Sequence, residues 1–503
     1  MSNFKFTKPY YNVAKAANEV MLEEAWNVYF EEIPGGGFAI RRRPAMASVA
    51  PASVAQEGRG MIWSDRNQKV YMVTSTGVYM KPGKISGVVK LGDLTDFGLP
   101  AVFSEGQKID PAYPIIYIAN GGPLHWVDVK PTNTINTALD ALGIALPIRP
   151  TFISCMNNMF WANDNRFDHN QDFWITDVNP ASGQMDPLYW DSPTNPWRAT
   201  QKPDLITAVT SGWNESYIWG SMACEPWQED GTNPISPLIG SLMEIGVDSP
   251  YSIQMADNTW FLLANVSGKR CVVRIAGRGP KVISEPIARI LQSYTTVNDA
   301  IGSICYAGGL NVYLLSFPTE GVTWAYDFKS DVWSQWSTWD RGAAQHKLFK
   351  GLFHTYASEW NQHLVLDSAG SLYEMSRDIQ TDYPGELLHS SVRTGWIDNG
   401  TWDRKRCDQL IIKLQGYLPP LVDPFNGTQS PVKVTLRTRD DGRPEWSNPI
   451  EIEIQAGVTG QNDHFCKLNR MGIYRSRQYE FIMTDARDLA LVGMEIDITR
   501  MRN

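Results

Sequence analysis

Asn67-Gln-Lys-Val-Tyr-Met-Val-Thr-Ser-Thr-Gly-Val-Tyr79 and Asn361-Gln-His-Leu-Val-Leu-Asp-Ser-Ala-Gly-Ser-Leu-Tyr373 share one pattern: a polar turn, an apolar strand, a Gly turn and a second strand ending in Tyr. A unit repeated within one chain decides architecture before any single motif does. Looser copies occur at Pro114-Ile-Ile-Tyr-Ile-Ala-Asn-Gly-Gly-Pro-Leu-His-Trp126, Asn158-Met-Phe-Trp161, Tyr217-Ile-Trp219, Asn258-Thr-Trp-Phe-Leu-Leu263 and Asn311-Val-Tyr-Leu-Leu315. With Tyr71, Tyr117, Trp161, Tyr217, Phe261, Tyr313 and Val365 as markers, the intervals are 46, 44, 56, 44, 52 and 52 residues. One such small sheet cannot bury both faces alone, and radial packing against its neighbours solves that problem. The spacing therefore predicts an all-β fold with a β-propeller of about seven blades over residues 50–384. A run of unrelated hairpins in two sandwiches is the alternative.

Composition agrees. Charged residues make up 20% and hydrophobic residues 43% of the 503, which excludes disordered, collagen-like and highly charged coiled-coil chains. Nineteen Trp, 20 Tyr and 18 Phe beside 40 Gly and 31 Pro suit short aromatic strands joined by tight turns. After residue 385, stretches such as Pro431-Val-Lys-Val-Thr-Leu-Arg-Thr-Arg439 and Ile450-Glu-Ile-Glu-Ile454 alternate at period two. They predict a separate C-terminal β-sandwich over 385–503. Residues 1–49 then form an N-terminal extension. Helix is expected at Val13–Glu24, from its helix formers, and at Ser284–Leu291, where Ser precedes Glu-Pro.

The formal charge of -9, from 45 basic and 54 acidic residues, opposes a protein whose main task is to grip a phosphate backbone. Residues 385–503 hold 16 of each sign, so the whole excess, 29 basic against 38 acidic, lies before them. The six cysteines stand far apart, with no Cys-x-x-Cys, and signal neither a disulfide framework nor structural zinc. They fit a reducing compartment. The opening residues lack an apolar signal-peptide core, and no run is long enough to span a membrane.

Motifs with chemistry are few. Gly35-Gly-Gly37 is followed by Phe-Ala-Ile-Arg and not by Lys-Ser/Thr, so it reads as a turn and not as a phosphate cradle. Neither Gly-x-Ser-x-Gly nor His-Glu-x-x-His occurs. Thr438-Arg-Asp-Asp-Gly-Arg-Pro-Glu-Trp446 resembles an Asp-box, a structural hairpin, with one residue too many before Trp. Asp440 and Asp441 within it could do acid/base work only if their separation suited it. Asn163-Asp-Asn-Arg-Phe-Asp-His-Asn-Gln-Asp172 gathers oxygen ligands that could hold calcium, but lacks the Gly and terminal Glu of an EF-hand, and a solvated blade loop is the favoured reading. Arg41-Arg42-Arg43, the densest basic run, is the candidate partner-facing or salt-bridged turn. No catalytic residue, cofactor or metal ligand is assigned.

Three segments carry a family likeness. Trp26-Asn-Val-Tyr-Phe-Glu-Glu-Ile-Pro-Gly-Gly-Gly-Phe-Ala-Ile-Arg-Arg-Arg-Pro44, followed by Ala45 where Gly is usual, is similar to the opening motif of the packaged-DNA stabilisation proteins, the tail hubs or nozzles of short-tailed bacteriophages. Pro286-Ile-Ala-Arg-Ile-Leu-Gln-Ser-Tyr294, with Asp299-Ala300, Tyr313-Leu-Leu-Ser-Phe-Pro318, Trp324-Ala-Tyr-Asp327 and Trp333, resembles their middle, and Leu468-Asn-Arg-Met-Gly-Ile-Tyr-Arg-Ser-Arg-Gln-Tyr479 their C-terminal part. The resemblance implies a structural, non-enzymatic virion protein assembled in the host cytoplasm. It implies a homohexameric ring beneath portal and adaptor, with residues 1–49 facing the adaptor, that carries tailspikes or fibres, with a possible plug or needle, and lets double-stranded DNA pass without tight binding. The alternatives are a propeller glycoside hydrolase or lectin acting on cell-surface carbohydrate, and a WD40 scaffold. The last should repeat Gly-His and Trp-Asp in each blade, yet Trp339-Asp340 stands alone.

Overall fold

The computed structural model describes residues 2–5, 22–33, 37–50, 56–108, 113–129, 133–140, 142–190, 196–199, 201–202, 204–230, 233–379, 381–382, 386–416, 421–422, 429–454, 463–485 and 487–501. Seven antiparallel sheets follow one another along the chain. Their innermost strands are Gly58–Ser64, Val102–Lys108, Ile153–Met156, Ile206–Gly212, Gln254–Ala256, Ile301–Cys305 and Gly351–Ala357, and we number the blades in that order. All seven marker residues fall on the second strand of their blades, and all are fully buried.

The polar residues of the repeat make its first turn. Asn157-Asn158, Trp213-Asn214 and Asp257-Asn258 each join two strands through a two-residue loop, with positive φ at both positions. That is the type I′ geometry whose twist matches the flanking strands, and Asn and Asp tolerate it best among residues with a side chain. Behind the turns, apolar residues interdigitate from blade to blade. Tyr117 packs with Phe160 and Trp174, Trp161 with Ile218 and Trp227, Tyr217 with Trp260 and Leu262, and Phe261 with Tyr313 and Trp324. Leu364 and Leu366 of blade 7 meet Val70 and Met72 of blade 1, so the ring of cores closes.

Closure is also made in the sheets. The outer strand of blade 7 is Ala45–Ala50, brought from the N-terminal side to pair with Leu372–Ser376. The blades approach so closely that small residues are needed between them: a Cβ on Gly302 in blade 6 would stand 2.4 Å from the carbonyl oxygen of Ser252. Gly302→Ala is expected to destabilise the protein by about 1–3 kcal/mol, the usual cost of overpacking, measured as a lower urea midpoint with unchanged slope.

The C-terminal part is a sandwich that the N-terminal segment helps to build. One sheet runs Val28–Glu32, Phe38–Arg42, Ala490–Arg500, Lys405–Gln415 and Asp463–Asn469, and the other runs Leu22–Trp26, Ser390–Thr394, Arg477–Met483, Val432–Asp440 and Ile450–Ile454. Leu22, Ala25, Ile40, Leu410, Ile412, Phe481, Leu491 and Ile496 fill the space between them with no exposure. The second sheet continues into blade 6, because Trp26 pairs in parallel with Gln335 of its outer strand, Val332–Asp340.

Three expectations are corrected. The described residues between 22 and 49 are not an extension apart from the domains: Leu22–Trp26, Val28–Glu32 and Phe38–Arg42 belong to the sandwich and Ala45–Ala50 to blade 7, so the expected boundary at 49/50 falls inside a strand. The helix expected at Val13–Glu24 is replaced at its C-terminal end by the strand Leu22–Trp26, because pairing with Ser390–Thr394 buries Leu22 and Ala25. Its first part, 13–21, lies outside the described residues. The short helix after Ser284 exists as a 3-10 turn, Glu285–Ile287, running into Ala288–Ser293. Ser284 does not cap it: its Oγ accepts from the backbone N–H of Val272 at 2.9 Å. Arg270 instead closes the far end, donating from Nη1 to the carbonyls of Leu291 and Tyr294.

Candidate functional site

Two places concentrate polar chemistry: the cavity on the propeller axis and the seam between propeller and sandwich.

The innermost strands of all seven blades surround an axial cavity of about 440 Å³. Its wall is largely apolar or hydroxylic, with Ile62, Phe103, Phe353, Ser154, Thr210 and Ser303 among its residues. Glu105 is the one carboxylate among the described lining residues. It accepts from Ser64 Oγ at 2.7 Å, and burial raises its pKa above the ordinary carboxylate value. A hydrolase that works through two carboxylates needs a second one some 5–10 Å away, and none stands among the described lining residues. His354 also reaches the wall. Its Nδ1 faces Nε2 of His363 at 2.9 Å, with Cys305 Sγ close by. Sequence reading passed over this trio. The available signal was His363 itself, a titratable residue in the apolar strand of the closest repeat copy, where the other copy has Lys69.

The seam is organised by Asn27 and Arg43. Asn27 is buried in a left-handed conformation, φ 56°. Its Nδ2 donates to Ser337 Oγ (2.9 Å) and to the carbonyl of His389 (2.8 Å), and its Oδ1 accepts from the Ser337 N–H (2.8 Å) and from Arg43 Nε (2.9 Å). One side chain thus ties blade 6, the lead-in to the sandwich and the basic run together. Arg43 is itself fully enclosed: Nη2 pairs with Asp382 Oδ2 at 2.6 Å, Nη1 donates to the Pro44 carbonyl, and the guanidinium lies 4.8 Å from the Phe349 ring and 5.7 Å from that of Trp336.

The basic run is therefore not a free patch. Arg41 spans Glu31 (2.6 Å) and Asp488 (3.1 Å), Arg42 is mostly buried and donates to the Arg487 carbonyl, and Arg43 has no exposed side-chain surface to offer a partner. Burial lowers the pKa of Arg42 against the opposing pull of Asp485 and Asp488.

The acidic motifs are similarly committed. Asp164 and Asp172 are buried, not solvated: Asp164 binds Arg166 at 2.5 Å and accepts from the backbone of Arg149, while Asp172 pairs with Arg198 (2.7 Å) and with His169 Nδ1 (2.9 Å). Their oxygens are engaged by side chains and backbone N–H groups of the chain itself. Asp440 forms a two-pronged pair with Arg477 (2.6 and 2.8 Å), and Asp441, at φ 53°, accepts from the N–H groups of Arg475 and Ser476. Arg475 and Arg477 belong to the C-terminal segment of the family likeness, so that segment acts as a fold determinant.

A closed seven-bladed propeller built into a β-sandwich defines the class of protein: an all-β propeller protein. The sequence matches the phage-stabilisation family model, described as bacteriophage P22 Gp10, β-propeller, over residues 31–380. The chain belongs to that family of β-propeller tail-hub and DNA-stabilisation proteins of short-tailed phages. No curated protein matches the sequence. Among solved structures it is similar to a streptogramin B lyase (TM-score 0.41, 10% identity, 66% of this chain and 97% of that one). It is also similar to the extracellular domain of a one-component system from B. thetaiotaomicron (0.40, 10%, 89% and 63%). An exo-β-1,3-galactanase from Phanerochaete chrysosporium aligns as well (0.29, 10%, 91% and 100%). Likenesses this distant carry no argument about chemistry.

Proposed function

We propose that this chain is a non-enzymatic structural subunit of a short-tailed phage virion, the hub or nozzle that extends the DNA channel below portal and adaptor. Six copies form a ring, help retain the packaged genome and carry tailspikes or fibres. The observation that carries this reading is the family match, which runs from the sandwich strand Val28–Glu32 through all seven blades. The axial cavity supports it: at about 440 Å³ it has the volume of a small-ligand pocket, so a duplex must pass between copies and not along a propeller axis. A closed ring with head-to-tail contacts supplies such a passage.

The charge distribution fits a channel that releases its cargo. A lumen rich in Lys and Arg would hold a polyanion with strongly salt-dependent affinity, whereas the acidic excess of this chain lies entirely before residue 385. The ring lumen is accordingly neutral or acidic, and retention before ejection falls to a plug or gate. Cryo-EM of virion tails tests both statements in one map: six copies per tail are expected, with few basic side chains on the DNA path. Single copies in assembled tails would overturn the reading. So would host-polysaccharide hydrolysis by purified protein that is lost in Glu105→Gln.

A further inference from the structure

Cys305, His354 and His363 come from three strands in two blades. Cys305 ends the innermost strand of blade 6, His354 lies on the innermost strand of blade 7, and His363 lies on the second strand, Gln362–Asp367. Their donor atoms lie within 4.8 Å of one another. A fourth soft donor joins them: Met375 Sδ, from the third strand of blade 7, stands 3.6 Å from Cys305 Sγ. Donors around a tetrahedral metal bonded at about 2.0–2.3 Å stand about 3.3–3.7 Å apart, so the widest separations need to close by roughly an ångström while the two imidazole nitrogens, now 2.9 Å apart, open by a few tenths.

The surroundings are those of a metal site. His354 donates its other ring N–H, Nε2, to the Gly351 carbonyl at 3.3 Å, the outer contact that ligating histidines usually make to fix ring and tautomer. That leaves Nδ1 as a lone pair directed at His363 Nε2. On His363, Nδ1 is buried without a hydrogen-bond partner and can take the ring proton when Nε2 ligates. His354 lines the axial cavity, which gives an entry path from solvent.

Charge decides which cation. The interior here already faces Arg43, whose positive field reaches both Cys305 and His354. A divalent ion on one thiolate would leave a net positive charge buried beside a guanidinium, whereas a monovalent ion on one thiolate leaves none, and uncompensated buried charge is costly. Thiolate, thioether and imidazole together are also a soft donor set, suited to monovalent copper. We propose that Cys305, His354 and His363, with Met375 as a weaker fourth donor, form a binding site for one monovalent copper ion between blades 6 and 7. On binding, the Cys305 S–H proton leaves to water in the cavity and a sulfur–copper bond replaces it. The proton between the two imidazoles moves to His363 Nδ1. Copper enters as the monovalent ion, so nothing is oxidised or reduced.

The test is an anaerobic titration of the reduced full-length protein with monovalent copper held by bicinchoninate, followed by X-ray absorption at the copper edge. One equivalent should be withdrawn from the chelator, with both nitrogen and sulfur in its first shell. Cys305→Ser and His354→Gln should each weaken the affinity at least tenfold. Cys155→Ser, which alters a thiol on the same cavity wall outside the group, should not. The absorption spectrum of the unaltered protein keeps the test decisive if a variant fails to fold. Failure to compete with the chelator, a sulfur-only shell, full affinity in Cys305→Ser, or displacement of the copper by equimolar zinc would each overturn the proposal.

Discussion

Arg43→Ala is expected to lower the stability of the chain by about 3–5 kcal/mol, the range for removing one partner of a buried ion pair. The size follows from what would remain. Asp382, largely buried, would lose the guanidinium 2.6 Å from its Oδ2, and keep only the Met46 N–H at 3.2 Å among its described partners. The carbonyls of Pro44 and Ser337, and Oδ1 of Asn27, would each lose a donor inside the seam. Arg43→Lys should recover only part of the loss, because a point-like ammonium with three donors cannot serve the four groups, Asn27, Pro44, Ser337 and Asp382, that the guanidinium fork reaches. Replacing both partners together, Arg43→Met with Asp382→Leu, should cost less than Arg43→Ala, since a buried charge without its counter-ion is the dominant penalty. Urea unfolding of the four proteins measures all three statements. A loss below about 1 kcal/mol for Arg43→Ala would mean that the seam is solvated in solution and that the ion pair is not a structural tie.

The same residues show where reading the chain works and where it stops. The seven marker positions were legible because strand, turn and strand lie within a dozen residues of one another, and their apolar and Asn-rich pattern is local. Ring closure by Ala45–Ala50 was not, since its partner Leu372–Ser376 lies more than three hundred residues on and neither strand announces the other. Leu22–Trp26 failed for the same reason: Leu-Glu-Glu-Ala is a good helix sequence by propensity, overridden by sheet partners on two sides, Ser390–Thr394 and Val332–Asp340. Arg41, Arg42 and Arg43 look alike in one dimension. Only the fold separates Arg43, enclosed by Asp382 and two aromatic rings, from Arg41, which reaches the surface between two carboxylates. The axial group of Cys305, His354 and His363 has no motif spacing at all, because its members are neighbours across blades and not along the chain.

Acid should open the seam before it unfolds the blades. His346 and His389 sit there, His346 stacked on Trp26 at 4.4 Å and His389 on Trp339 at 3.6 Å, with Ser337 Oγ bonded to His346 Nδ1 at 2.7 Å. Burial pushes the pKa of His346 down to about 3, helped by the charges of His389 and Arg43, and that of His389 down to about 4 against the pull of Glu480. An unfolded histidine titrates near 6.5. Between roughly pH 6.5 and 4 the unfolded chain therefore binds protons that the native chain refuses. Stability is greatest above that window and falls as the pH drops through it, by at most about 1.4 kcal/mol per pH unit for each group. The loss should be local at first. Amide exchange in Leu22–Trp26 and Ser390–Thr394, the strands that join sandwich to blade 6, should accelerate by pH 5 while the second strands of blades 1 to 5 stay protected. His346→Gln and His389→Gln remove the titrating groups of the seam and should reduce the dependence, which separates their part from the carboxylates and from His125, His354 and His363, whose pKa values burial also lowers. Equal acceleration of exchange across all blades, or an unchanged slope in the double variant, would show that acid acts elsewhere. If the slope does flatten, then the seam is held by keeping two imidazoles neutral beside Arg43, and its strength depends on the proton concentration around the particle.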